Sequence, residues 1–325
     1  MSGDYFDYKK LDDQHYAVIK CDVAGKGVPA ALIMVEVATI FSTHFRNWTA
    51  QSPGLKIDRL AYDINEQLEE RGFKGRFAAL TLAIINAQTG KAYFCNAGDT
   101  NLHVYRAGQR RMVEYKLPDA PAAGVFPNML VEMQAGFKQV AQPLAPGDTV
   151  FLFTDGIEEA KHVFRNESFE VITCQEPDLE ENQEHGGTHL KGSDNEELGL
   201  PRIYEIINSV FNRRRYVLTK YHNPLPGEEL AFDFTRCKGS VEEAVLAMVS
   251  VEKVFRLVPD PSATVRDHVF VDRNIDRFLK EHFVQYSRYF ARPVDSGEIG
   301  DTIEFTHLKE DEQYDDLTIL AIRRK

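Results

Sequence analysis

Cysteine is scarce in this 325-residue chain, and the four present (Cys21, Cys95, Cys174 and Cys237) lie far apart with no C-x-x-C pair. That spacing excludes a zinc knuckle and a disulfide framework, and a reducing cytoplasm suits it best. Long apolar runs are also missing. The richest stretch, PAALIMVEVATIF (29–41), is broken by Glu36 and falls short of the roughly 18 residues that span a bilayer. It reads as a buried helix. The acidic start MSGDYFD is no signal peptide. Positive charge is in deficit, with 38 Lys and Arg against 50 Asp and Glu and a net charge of −12. No cationic face is offered to nucleic acid.

Strand-like runs dominate the first half: YAVIKCD, FAALTLAIIN, KAYFCNAG, NLHVYRA, MVEYKL and DTVFLFTDG, with helical periodicity at 28–45 and 56–71. The strands after residue 77 follow one another closely, with short turn signals at QTGK (88–91) and RAGQRR (106–111), which favours antiparallel hairpins over βαβ units. LTLAII and VFLF are apolar on both faces, so their sheets need cover on both sides. Two sheets packed face to face with helices outside would supply it.

After Ala160 the texture changes. Residues 175–199 carry eight acidic side chains against Lys191 alone and predict a flexible surface loop. The spacing D-x-[DN]-x-[DN]-G of a calcium loop is absent. Helical patterns follow at 200–215, 240–257 and 272–291, with a hairpin around YHNPLPGEELAFDF, before DDLTILAIRR closes the chain as an apolar strand. Such a strand needs neighbours from the first half. The expectation is one α+β domain over 1–325, interrupted by a long insertion at 163–300.

The stretch KCDVAGKGVPAAL (20–32) has the spacing G-x-G-x-x-A, which raises a dinucleotide loop as one reading. A Rossmann unit needs a second parallel strand after the first helix, and here a second helix pattern intervenes. A P-loop fails too, since no G-K-[ST] occurs. Gly25 and Gly27 are then turn formers and Pro29 a helix starter. Asp22 remains unexplained.

Asp22 ends YAVIKC, Asp155 ends VFLFT, and Asp315 with Asp316 opens LTILAI. If the last strand runs antiparallel to the other two, these carboxylates converge on one rim. Strand-end aspartates commonly cap turns, but three at strand ends, two followed by glycine turns, favour a site. Like charges so gathered raise one another's pKa values, and a hard divalent cation relieves the repulsion. Oxygen donors without a His or Cys set point to Mg²⁺ or Mn²⁺. A pair of such ions sharing a carboxylate can hold a bridging water for in-line attack on phosphorus.

The series SGDYFD (2–7), DVAGKGVPAAL (22–32), FAALTLAIIN (77–86), CNAGD (95–99), GDTVFLFTDGIEEA (147–160) and DDLTIL (315–320) resembles the metal-dependent PPM-type serine/threonine phosphatases, in their bacterial SpoIIE/RsbU branch. The combination of D-x-x-G-x-G, T-D-G-x-x-E and D-D-[LIM]-T is specific, though each piece alone is weak. The resemblance implies an α-β-β-α sandwich with two Mn²⁺ or Mg²⁺ ions at one edge of the sheets. It assigns Asp22 as bridging ligand with the carbonyl of Val23 beside it, and Asp155 and Asp315 as the other metal-binding carboxylates. Asp4 falls on a residue that supports the attacking water, so the implied catalytic set is Asp4, Asp22 and Asp155. It further implies a cytoplasmic phosphoserine/phosphothreonine phosphatase acting on a signalling partner, typically a small STAS-domain protein of the anti-anti-sigma type, and it accommodates a homodimer. A catalytically silent phosphoprotein scaffold and a two-metal hydrolase of small phosphoesters are the alternatives.

Three departures stand out. The family commonly has His where Asp99 stands, and a local change is expected there. The family domain begins some 20 residues earlier with a strand and a short helical lead, which leaves open an N-terminal sensor region ahead of this chain and whether Met1 is the native start. Between Asp155 and Asp315 about 160 residues replace a few tens, with EEAVLAMVSVEKVF as the best candidate for a family helix. The rest is read as a flap or partner-binding surface. His44 and His103 are assigned nothing.

Overall fold

Strand His15–Val23 shows why the fold has layers: its side chains alternate between two different cores. Ala17, Ile19, Cys21 and Val23 point into one cluster with the helices, whereas Val18 enters another with a second sheet. The computed structural model describes residues 3–46, 48, 57–71, 75–175, 189, 192–222, 229–260, 262, 268–291, 298–313 and 315–325.

In chain order the first elements are β1 (Tyr5–Lys10), β2 (His15–Val23), α1 (Val28–His44) and α2 (Ile57–Glu70). Then come β3 (Ala78–Asn86), β4 (Ala92–Ala97), β5 (Asn101–Arg106), β6 (Arg111–Lys116), α3 (Asn128–Gln134), β7 (Val140–Ala141) and β8 (Thr149–Phe153). The long middle segment holds α4 (Asp155–Glu158), β9 (Lys161–Val163), β10 (Asn195–Glu197), α5 (Leu200–Phe211), β11 (Arg215–Leu218) and β12 (Leu230–Asp233). It continues with α6 (Val241–Arg256), β13 (Leu257–Pro259), β14 (Val269–Asp272), α7 (Arg273–His282) and α8 (Tyr286–Tyr289). β15 (Glu298–Ile299), β16 (Thr302–Phe305) and β17 (Leu308–Glu310) complete it, and β18 (Ile319–Arg323) ends the chain.

The chain divides into two units, Met1–Thr154 with Asp316–Lys325, and Asp155–Asp315. The first is a sandwich of two antiparallel sheets, ordered β1-β2-β3-β4-β7 and β18-β8-β5-β6. Between the sheets pack Val18, Ala83, Ile85 and Phe94 from one side against Leu102, Val104, Val150 and Leu152 from the other. α1 and α2 cover the outer face of the five-stranded sheet through Ile33, Val37, Phe41, Leu60, Ile64 and Leu68. Each such fully buried side chain contributes about 1.5–3 kcal/mol. β18 runs antiparallel to β8 with Ile319 opposite Phe153, so the last strand starts where β8 ends, as the expected convergence required. The turns QTGK and RAGQRR are hairpins, joining β3 to β4 and β5 to β6.

The second unit has its own core. α5 and α6 bury Ile203, Ile206, Val210, Met248, Val251 and Phe255, and α6 opens with a capping box between Ser240 and Glu243. The hairpin expected around residues 221–234 is present as β11 and β12, paired antiparallel; its turn, 223–228, lies outside the described residues. The helix expected over 272–291 is two helices, because after α7 the chain leaves helical geometry at Phe283 to bridge Phe232, where the two rings stack at 4.9 Å. Most of the acidic stretch 175–199 also lies outside the described residues. Its end does not form a surface loop: β10 pairs with β9 and Glu196 is fully buried, because Arg202 supplies its counter-charge.

A second buried ionic cluster in this unit centres on Asp311. Burial alone would push its carboxyl up, but nearby His162 with hydrogen bonds from Arg165 and the Val163 N–H holds it at about 2, against 3.8 ordinarily. A depressed carboxyl stabilises the fold above the unfolded value, and that contribution, roughly 2 kcal/mol, is lost as pH falls from about 4 toward 2. Buried His162 is also held below its ordinary range, so acid weakens the fold there as well, starting when pH drops through about 6.5. Denaturant midpoints measured from pH 7 to pH 2.5 should decline in both windows. Asp311→Asn should flatten the decline below pH 4; an unchanged acid limb would remove Asp311 from this role.

Candidate active site

The face of β2 that carries Val18 into the sheet–sheet core carries Lys20 and Asp22 farther along the strand, by the period of two. At this end the inter-sheet layer turns polar. Lys20 is buried, and its ammonium lies 3.0 Å from Asp99, whose carboxylate also accepts a 2.5 Å hydrogen bond from Thr81. Thr81 sits directly opposite Lys20 in the β2–β3 register. Asp99, just past the end of β4, is thus charge-matched by a lysine from β2, two strands away in the same sheet. His103 borders the same layer, stacked on Phe153 at 4.6 Å. Burial holds it down at about 4, so it is neutral at physiological pH.

Asp4 is the meeting point of three motifs. Its carboxylate accepts a 2.8 Å hydrogen bond from the Thr154 hydroxyl and another from Thr318. The Thr154 hydroxyl in turn accepts from the Thr318 N–H at 3.0 Å, and the Gly3 N–H donates to Asp316 at 3.3 Å. Burial, with the Asp316 charge adding to it, raises Asp4 above the usual carboxylate range, while the two threonines and Lys20 counteract. Asp22 is half-buried opposite Ala79. The turn after it is fixed by the Ala24 N–H donating to the Phe77 carbonyl at 2.9 Å and by Arg76 donating to the Ala24 carbonyl at 3.3 Å. Gly25 has φ +94°, and a Cβ there would lie 2.3 Å from the Arg76 guanidinium, so glycine is required.

In the second unit Asp155 is the exposed first residue of α4. The Gln313 side-chain amide donates to the carbonyls of both Gly156 and Asp315, each at 3.0 Å, which ties the Asp155 turn to the Asp315 segment. Glu159 is raised by burial, then by the charges of Asp155, Glu197 and Asp315. Both units therefore concentrate like charge on oxygen donors, Asp4 with Asp316 in one and Glu159 with Asp155 and Asp315 in the other. That donor chemistry fits a hard divalent cation. Among the described residues no group of three or more His, Cys, Asp or Glu side chains is gathered as a metal cage.

Lys20 and Gln313 belong to none of the three short motifs, and nothing in their sequence context marked them. Thr154, Glu159, Asp316 and Thr318 are motif letters whose partners become visible only in the fold. The four cysteines are free and buried, in keeping with a core role for Cys21 and Cys95.

Residues 12–185 match the family described as Stage II sporulation protein E (SpoIIE). The chain is 26% identical over 161 residues to phosphoserine phosphatase RsbU of Bacillus subtilis (strain 168), covering 50% of this chain and 44% of that protein. It is 24% identical over 190 residues to protein IcfG of Synechocystis sp. (strain ATCC 27184 / PCC 6803 / Kazusa), covering 50% and 27%. It thus spans less than half the length of these relatives. The fold is similar to that of the SiaA-PP2C domain of Pseudomonas aeruginosa, with a TM-score of 0.50 at 15% identity over 99% of this chain and 80% of that one, so the likeness includes the segment between Asp155 and Asp315. With more than half of its residues matched by the family, Asp22 and Asp155 among them, the chain belongs to the SpoIIE family of PPM-type (PP2C-type) serine/threonine phosphatases.

Proposed function

We propose that this chain removes phosphate from phosphoserine or phosphothreonine on a signalling protein, with a small STAS-domain protein as the substrate class. Asp22, the Val23 carbonyl, Asp155 and Asp315 would hold two Mn²⁺ or Mg²⁺ ions. When bound, the ions supply Lewis acidity toward the phosphate and lower the pKa of a water. The chain's own residues do the rest. Asp4, gripped by Thr154 and Thr318, would orient an attacking water. Lys20 and Asp99 keep the polar end of the inter-sheet layer charge-balanced beside Asp22 on β2. Gln313 keeps Asp155 and Asp315 on one short piece of backbone scaffold.

The observation that carries the reading is the meeting of SGDYFD, T-D-G-x-x-E and D-D-L-T at the Asp4 carboxylate. The test is hydrolysis of p-nitrophenyl phosphate by chelator-treated protein with and without Mn²⁺ or Mg²⁺. Turnover should be absent without metal and return with either ion. Turnover that persists in excess chelator would overturn the mechanism.

A further inference from the structure

The surface beside the Asp22 turn is apolar in a way that the chemistry does not require. Phe77, whose carbonyl anchors Ala24, is 39% exposed, and Val125, beyond the Ala78–Ala123 bridge, is 41% exposed. α3 follows, anchored by fully buried Val131, and it turns Met129 (67% exposed), Leu130 (39%) and Met133 (75%) away from the core. Single exposed apolar residues are ordinary, whereas five in two segments joined through the Ala78–Ala123 bridge, one of them hydrogen-bonded to the Asp22 turn, are not.

The platform is rigid. Asn65 of α2 donates to the Phe126 carbonyl at 2.9 Å and to the Asn128 side chain at 2.8 Å, and it accepts from the Gly124 N–H at 2.8 Å. Met129 and Met133, one helical turn apart, are unbranched and polarisable, the side chains that adapt to varied apolar partners. Two cations, exposed Lys26 and partly buried Arg76, stand on or against the same turn, next to where the proposed reaction handles a dianionic phosphate.

We infer that the surface formed by Phe77, Val125 and the exposed face of α3 docks the phosphoprotein substrate, and selects phosphoserines flanked by apolar side chains while Lys26 and Arg76 attract the phosphate. This rests on the phosphatase reading. The apolar contacts lie outside the reacting atoms, so they lower KM for a polypeptide and leave a small aryl phosphate unaffected.

The test uses the full chain and two synthetic phosphoserine peptides, one with leucines around the phosphoserine and one with serines and glycines. The parent protein should prefer the leucine peptide by about tenfold or more in kcat/KM, through KM. Met129→Glu with Met133→Glu should reduce that preference to within about twofold, with p-nitrophenyl phosphate turnover held within about twofold. No preference in the parent, or a preference that survives the double substitution, overturns the docking surface. Should no phosphate ester be hydrolysed at all, the phosphatase reading fails, and fluorescence anisotropy of the labelled peptides still decides docking: binding that favours the leucine peptide and is lost in the double variant supports it, and equal binding of both peptides refutes it.

Discussion

Asp155→Asn is expected to lower Mn²⁺-supported turnover of p-nitrophenyl phosphate by about two to three orders of magnitude or more, with little change in thermal unfolding. Asp155 is exposed at the start of α4, so an isosteric amide removes charge without opening a cavity. Under the proposed mechanism it would remove an anionic ligand for a cation whose electrostatic effect on the transition state is the largest single contribution available to such a site. The same loss is expected for Asp22→Asn, since under the proposed mechanism either change would leave the metal site one carboxylate short. Rates should be compared at several Mn²⁺ concentrations, because a weakened site can be refilled by mass action. Full activity of Asp155→Asn at every concentration would place the ligands elsewhere.

Arg202→Met is expected to destabilise the Asp155–Asp315 unit by about 3–5 kcal/mol, because it removes the buried counter-charge of Glu196. Glu196 has no exposed surface. One of its oxygens accepts from Arg202 at 2.8 Å and the other from the Tyr221 N–H at 2.6 Å. The guanidinium also donates to the Glu197 and Leu198 carbonyls at 2.9 and 3.1 Å and lies over the Phe255 ring. For a unit of this size each kcal/mol shifts the melting point by about 2–4 °C, so calorimetry should show a fall of about 10 °C. Adding Glu196→Gln should recover part of it, since the amide still accepts from Tyr221 without carrying a charge. A single substitution with no measurable cost would mean that the pair is solvated in solution.

Glu196 also shows why part of this chain was hard to read. Within residues 175–199 it is one of eight acidic side chains, and composition alone sends the whole run to solvent. Whether a carboxylate is buried depends on a partner, and Arg202 commits to it only once α5 has packed. The same logic separates the readable from the unreadable parts of the site. Asp22, Asp155 and Asp315 were visible because strand ends, glycine turns and an apolar alternation are local patterns, set by hydrogen-bonding geometry over a few residues. β2, β3, β4, β5, β6 and β8, with α1 and α2, follow from the same local periodicities. β1, β7 and the short α3 did not, since their local signals are weak and their pairing or packing partners stabilise them.

Side-chain encounters across long stretches of chain left no such trace. Thr154 reaches Asp4 across 150 positions, and Lys20 reaches Asp99 across 79. The short motifs around Asp22, Asp155 and Asp315 identify the family because each is a local run of residue types that can be read without the fold. Which threonines hold Asp4, which lysine answers Asp99 and which apolar side chains are left facing outward beside the loop follow from packing, because proximity in space is created by folding and is not encoded in any local spacing.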